Sequence, residues 1–250
     1  MEANLENKVV LITGGAKRVG AAICRLLHAH GANLMIHYRS SLNEARALQS
    51  ELNLQRPNSV AIIQGDLLNL AALPSLVQET IQHFGKLDVL INNASSYYST
   101  ELGTIDEEEW QDLMGSNLKA PLFLSQAAAT ELRKHQGCIV NITDMHVDRP
   151  KKGYIVYSVA KAGLVTLTKS LAHELGPDVR VNAVAPGPVM WPEDNPQFDE
   201  VYRQRVISQT LLKRIGEPQD IAKAVKFLIQ DASFVTGHII AVDGGRSLNL

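Results

Sequence analysis

Cysteine is nearly absent from the 250-residue chain, which holds only Cys24 and Cys138. Two isolated thiols exclude a disulfide framework and the paired cysteines of a structural zinc site. Cys24 falls in an apolar helical pattern and Cys138 opens a strand-like run, so both read as buried thiols. The eight histidines are scattered, and His28 and His30 would point to different faces of one helix, so no metal site is expected. Excess charge is lacking as well: 24 basic against 26 acidic residues leave a net charge of -2. That balance argues against a nucleic acid or an anionic membrane as partner. No apolar run approaches the roughly 20 residues that span a bilayer. The opening Met1-Glu2-Ala3-Asn4-Leu5-Glu6 lacks the basic start and apolar core of a signal peptide, so a cytoplasmic location is expected. Repeats, low-complexity tracts and linkers are missing, which makes one domain over residues 1–250 the economical organisation.

What the chain has is alternation. Apolar, β-branched runs at Val9 to Thr13, Asn33 to Tyr38, Val60 to Gly65, Val89 to Asn93, Cys138 to Thr143, Arg180 to Val184 and His238 to Val242 read as seven strands. Helical patterns begin near Arg18, Asn43, Leu70, Asp106, Tyr154 and Glu217, with a weaker one over Phe198 to Gln209. Strands that alternate with helices predict an α/β fold, a parallel sheet flanked by helices on both faces. The run from Asp106 to His135 is interrupted by Pro121, which cannot continue a helix undisturbed.

The first strand runs into Thr13-Gly14-Gly15-Ala16-Lys17-Arg18-Val19-Gly20 and then a helix. Glycines there allow a tight turn and bring a pyrophosphate close to the helix N-terminus, where free N–H groups and the dipole favour an anion. The placement predicts a single-domain Rossmann fold that binds a dinucleotide. At the end of the second strand the segment His37-Tyr38-Arg39-Ser40-Ser41 has no acid to hold a ribose hydroxyl. The Arg39 guanidinium with neighbouring hydroxyls suits a 2′-phosphate instead, so the expected cofactor is NADPH.

A second cluster lies between Asp144 and Lys161. At the start of a helix, the four-residue spacing of Tyr157 and Lys161 puts phenol and ammonium on one face. A cation beside a phenol favours the phenolate, so Lys161 is expected to lower the Tyr157 pKa. In isolation such a pair is a common coincidence, and it gains meaning only from the rest of the chain.

With these pieces in place the chain resembles the short-chain dehydrogenase/reductase family over essentially its full length. The marks are Thr13-Gly14 with Gly20, Asp66, Asn92-Asn93-Ala94, Asn117, Tyr157 with Lys161, Pro186-Gly187 and Val242-Asp243-Gly244-Gly245. The resemblance implies that Asp66 contacts the adenine, Asn93 and Ala94 line the cofactor, and Asn117 supports a water chain to Lys161. Tyr157 would be the proton donor and Lys161 would hold the nicotinamide ribose. The candidate cofactor contacts are then Gly14, Lys17, Arg18, Val19, Tyr38, Arg39, Ser40, Asp66, Leu67, Asn93, Ala94, Ser95, Tyr157, Lys161, Pro186 and Gly187.

Two departures from the general pattern fit one branch. Arg18 stands where the turn motif usually has glycine, and Asp144, thirteen residues before the tyrosine (157 − 13 = 144), stands where a serine is usual. Both are similar to the pteridine reductase branch, as are Asn93-Ala94-Ser95-Ser96-Tyr97 and Gly115-Ser116-Asn117 with Ala120-Pro121. This implies a pterin or dihydrofolate substrate bound by Arg18, Ser95, Tyr97, Asp144 and Tyr157, with Tyr97 stacked on the flat heterocycle. A carboxyl group at 144 can exchange protons with ring nitrogens, whereas a hydroxyl would polarise a carbonyl. The proline-bearing segment after Pro186-Gly187, near 187–210, would be the substrate loop, with Met190 and Trp191 as its apolar lid. A ketone reductase, such as one acting on 3-oxoacyl thioesters, is the nearest alternative, and Asp144 and Arg18 speak against it. A non-catalytic NADP-binding sensor would have no need of Asn117, Tyr157 and Lys161. The resemblance also implies a homotetramer built on the outer faces of the two helices carrying Leu118, Leu122, Leu164, Leu167 and Leu171, with the tail from Arg246 to Leu250 reaching a neighbour.

Overall fold

The computed structural model describes residues 5–191 and 199–249. Its centre is a seven-stranded sheet: β1 (Val9–Ile12), β2 (Asn33–Tyr38), β3 (Val60–Gln64), β4 (Val89–Asn92), β5 (Cys138–Ile142), β6 (Arg180–Pro186) and β7 (Ile239–Val242). All neighbours pair in parallel, in the order β3-β2-β1-β4-β5-β6-β7. The chain is thus a single Rossmann-type α/β domain. Strand pleating explains its two cores. Val10, Ile12, Leu34 and Ile36 point to one face and Leu11, Met35, Ala61 and Ile63 to the other.

On the first face lie α1 (Arg18–Ala29) and α8 (Pro218–Gln230). The buried Ile23 and Leu27 of α1 meet Ile221, Val225 and Leu228 of α8, each set at the three-to-four-residue spacing of one helical stripe. The opposite face is covered by α3 (Leu73–Phe84), α5 (Ala120–Lys134) and α6 (Ile155–Leu175). The remaining helices are α2 (Leu42–Gln55), α4 (Glu107–Met114) and α7 (Glu200–Gln209). No helix among the described residues is long and apolar enough to cross a membrane. Cys24 and Cys138 are free and buried, and burial pushes their thiols up to about 12 and about 11, which leaves them unreactive at neutral pH.

Several element limits differ from the sequence expectation. The helical run from Asp106 breaks before Pro121, at a π-helical turn over Gly115–Lys119. Proline has no N–H to give the carbonyl of Asn117, four residues back, and the helix widens there, with Ala120 N–H bonding Gly115 O instead. Pro121 itself sits in the first turn of α5, where no donor is required. A short 3₁₀ turn at Leu70–Ala72 precedes α3, and β6 continues two residues beyond Val184. Phe198, expected to open a helix, and the stretch 192–198 of the expected substrate loop lie outside the described residues.

The strand order reverses between β1 and β4, so the loops at their carboxyl ends part and leave a crevice. The glycine turn, the end of β2 and the segment holding Asp144, Tyr157 and Lys161 all border that crevice.

Candidate active site

Beyond β1, the turn at Thr13–Lys17 is held by backbone geometry that excludes larger residues. Gly14 has φ +61°, and a Cβ there would lie 2.9 Å from the Ala94 Cα. A Cβ on Gly20 would come within 2.3 Å of the Gly14 carbonyl oxygen. Thr13 ties the turn to β4, its Oγ1 accepting from Asn93 N at 3.0 Å and Ala94 N at 3.1 Å. The Asn93 side chain donates back to the carbonyls of Thr13 and Gly14, both at 2.9 Å. Asn93 therefore supports the cradle as well as lining it. No side chain caps α1, and its first turn holds no acid, so its N–H groups are open to an anion.

Arg18, the first residue of α1, has φ +50°. This is the left-handed region that glycine would enter without cost, and a β-carbon there costs about 1 kcal/mol. The strain is held at a position whose guanidinium lines the crevice.

His37 was read from the sequence only as part of the segment at the end of β2. It is buried, accepting from Gly14 N–H at Nδ1 (3.3 Å) and donating from Nε2 to Gly65 O (3.1 Å). Burial brings its pKa down to about 4, so it is a neutral pin between the glycine turn and the end of β3. Arg39 and Lys17 stand exposed beside it. Lys17 pairs with Glu44 at 2.5 Å, and Arg39 lies 3.9 Å from Asp112. The Asp66 carboxylate accepts from Leu68 N–H at 3.0 Å.

At the other end of the crevice, Tyr157 donates its phenolic proton to Asp144 Oδ2 at 2.8 Å. The Lys161 ammonium, buried in α6 one turn further on, donates to the Ile142 carbonyl at 2.8 Å and lies 5.7 Å from the centre of the Tyr157 ring. This overturns the expectation that Lys161 lowers the Tyr157 pKa. Burial first, and then the charge and hydrogen bond of Asp144, push the phenol well above its ordinary value, with only the Ser95 hydroxyl pulling down. Asp144 is the nearer charge, and it stabilises the protonated phenol. Asn117 is wholly buried in the π-helical turn, where its Nδ2 donates to Ser96 O (2.9 Å) and Leu113 O (3.0 Å). Those bonds fix its Oδ1 as the acceptor of the Ser95 hydroxyl at 2.6 Å. A buried polar chain supports this end: Asn92 donates to Asn141 at 2.8 Å across β4 and β5, and Asn141 donates to Thr168 of α6 at 2.9 Å.

One cavity of about 440 Å³ joins the two ends. Its walls include all the residues expected to contact the cofactor, from Gly14, Lys17, Arg18 and Val19 through Tyr38, Arg39, Ser40, Asp66, Leu67, Asn93, Ala94 and Ser95 to Tyr157, Lys161, Pro186 and Gly187, together with Asp144. Tyr97, Met190, Trp191 and Asn117 do not line it. Tyr97 instead stacks on Tyr154 (centroids 4.9 Å apart, 20° between planes) and meets the Tyr157 ring edge-on at 4.9 Å. It thus packs directly against the Tyr157 ring. Met190 is exposed, and Trp191 meets Tyr202 of α7 edge-on at 6.4 Å.

The tail residue Arg246 lies in a 3₁₀ turn against its own chain, with Nη2 donating to Gln209 Oε1 at 3.0 Å and a buried Nε that has no hydrogen bond. Burial lowers its pKa, while Tyr202 and Asp144 pull upward, so its charge is felt at Asp144. Nothing in the tail's sequence shows this, because the contact depends on where α7 lies.

Compared with known proteins, the chain matches the family model described as Enoyl-(Acyl carrier protein) reductase over residues 14–247. It is 37% identical to Pteridine reductase 1 of Leishmania tarentolae, with 96% of each chain covered. It is 34% identical to a 3-oxoacyl-[acyl-carrier-protein] reductase of Staphylococcus epidermidis, covering 96% of this chain and 98% of the other. An uncharacterized oxidoreductase of Methylorubrum extorquens is 34% identical over 97% of this chain and 99% of its own length.

Proposed function

The chain belongs to the short-chain dehydrogenase/reductase family, and from that premise we propose that it is an NADPH-dependent reductase of dihydropteridines, dihydrobiopterin or dihydrofolate, acting in the cytoplasm. The observation that carries this reading is the 2.8 Å hydrogen bond from Tyr157 to Asp144. Phenol and carboxylate share one proton and can present it to a basic ring nitrogen. A ketone needs only a hydroxyl to polarise its oxygen.

The crevice fits a dinucleotide phosphate. Glycines leave room for the pyrophosphate at the open N-terminus of α1, and Lys17 and Arg39 supply cations where a 2′-phosphate would stand, with no acid between His37 and Ser41. When bound, NADPH supplies a hydride to the carbon of a C=N bond. The chain's own groups supply the matching proton to the nitrogen. Tyr157 donates it, Asp144 orients the phenol and pairs with ring N–H donors, and Lys161 would hold the nicotinamide ribose. Arg18 faces the same space and suits a pterin oxygen or a cofactor phosphate.

The Staphylococcus relative makes reduction of a 3-oxoacyl thioester the competing reading. NADPH oxidation should be followed with dihydrobiopterin, dihydrofolate and a model 3-oxo ester. Turnover of the pterins is expected, with kcat falling at least a hundredfold in Tyr157→Phe and Asp144→Ala while NADPH affinity stays within a few-fold. Turnover of the ester alone would overturn the assignment. Full activity in Asp144→Ala would remove the proton role of that carboxylate.

A further inference from the structure

The segment Ser41-Leu42-Asn43-Glu44 opens α2 with a serine three residues before a glutamate, the pattern of a capping box. The box does not form. No side chain caps α2, and Ser41 lines the crevice. Glu44 pairs instead with Lys17, the residue before α1, at 2.5 Å. Both side chains are about half exposed, and the Lys17 contact holds the Glu44 carboxyl below its usual range, so it is charged at neutral pH. An acid in the first turn of α2 thus reaches across to α1 and occupies a cation of the crevice wall. Arg39, the other cation there, is less engaged, at 3.9 Å from Asp112.

From this arrangement we infer that Glu44 competes with the cofactor's 2′-phosphate for Lys17, and so loosens NADPH and speeds the release of NADP⁺. The inference rests on the NADPH reading and adds the residue that limits it. A phosphate arriving beside Lys17 and Ser41 meets a lysine already neutralised, and it must part the pair before it gains the full charge. It also approaches the uncapped N-terminus of α2, where free N–H groups favour an anion while the charge of Glu44 opposes a second one. NADH carries a hydroxyl in place of that phosphate, so it neither breaks the pair nor meets the repulsion. Glu44 therefore narrows the preference for NADPH over NADH that Lys17 and Arg39 create. Because the pair is exposed, the effect is the modest one that a solvated ion pair supplies.

The test measures Kd for NADPH, NADP⁺ and NADH by calorimetric titration, and the NADP⁺ dissociation rate by stopped flow. It uses the wild type, Glu44→Gln, Lys17→Met and the double variant, at low and high ionic strength. Glu44→Gln is expected to bind NADPH and NADP⁺ about fivefold more tightly, with NADP⁺ leaving more slowly by the same factor and NADH unchanged. The gain should fade at high salt and shrink to about twofold or less in the Lys17→Met background, because the competition needs the lysine. NADPH binding that is unchanged or weaker in Glu44→Gln would overturn the inference, as would an equal gain with and without Lys17. A wild type that binds NADH as tightly as NADPH would remove the cofactor reading itself.

Discussion

Buried in α6, Lys161 donates to the Ile142 carbonyl, and burial lowers its pKa to about 8 against the upward pull of Asp144. The ammonium is therefore half lost by about pH 8, while an unfolded lysine reaches that point only at about 10.4. The folded chain binds fewer protons between those values, so this group's contribution to stability improves as pH rises through that window, and its burial penalty is fully present below it. Cofactor binding is expected to run the other way, because the charge proposed to hold the ribose is lost. NADPH affinity, followed by fluorescence titration of the free enzyme, is expected to weaken above about pH 8, and in Lys161→Arg the decline should move beyond the accessible range. An identical decline in both proteins would assign the titration to another group. The sequence identified Tyr157 and Lys161 as partners on one helical face but misjudged the sign of the Tyr157 shift. That sign depends on which of Lys161 and Asp144 comes nearer, and thirteen residues of separation say nothing about a 2.8 Å approach. Arg18 is similar: its unusual identity was legible, while the left-handed backbone beneath it was not.

At the scale of elements, the nucleotide end depends on how closely α1 approaches the glycine turn. A Cβ at Gly20 would meet backbone at the Gly14 oxygen (2.3 Å) and the Gly15 Cα (2.9 Å), and the Asn93 Nδ2 at 2.8 Å, a side chain held by its bonds to the Thr13 and Gly14 carbonyls. Gly20→Ala is expected to lose about 1–3 kcal/mol in denaturant unfolding and to weaken NADPH binding more than tenfold, because the helix N-terminus shifts away from the turn. A variant as stable as the wild type with unchanged NADPH affinity would show that the turn yields freely. This glycine was legible in the sequence because glycine-turn-helix is a local pattern. The His37 pin joins residues from β2, the turn and β3, and the π-helical turn follows from Pro121 acting on a carbonyl one turn back. A contact across three strands leaves no periodic trace, and a proline announces a break without saying on which side it falls.

For the molecule as a whole, the alternation of strands and helices determines a parallel sheet. The point where its order reverses accounts for one cavity holding residues from Gly14 to Gly187. What the alternation leaves open is which helical faces look outward. Of the leucines on the two long helices, Leu164 is buried against the domain, while Leu122 of α5 remains exposed. Ile155 and Val159 of α6 are also exposed, at 40% and 48%. Val159 lies about 200° around the helix from Tyr157, so the apolar surface faces away from the proton donor. Large aliphatic side chains on the outer faces of both helices are what a four-helix contact between two copies would bury, and we expect a homotetramer in solution. Light scattering should give four times the chain mass for the wild type and a smaller species for Leu122→Glu and Val159→Glu, since each places a charge at a desolvated contact in every copy. Because neither side chain borders the cavity, NADPH should still bind the smaller species, which separates loss of assembly from loss of fold. A wild-type monomer, or glutamate variants that remain tetrameric, would show that these faces are solvated.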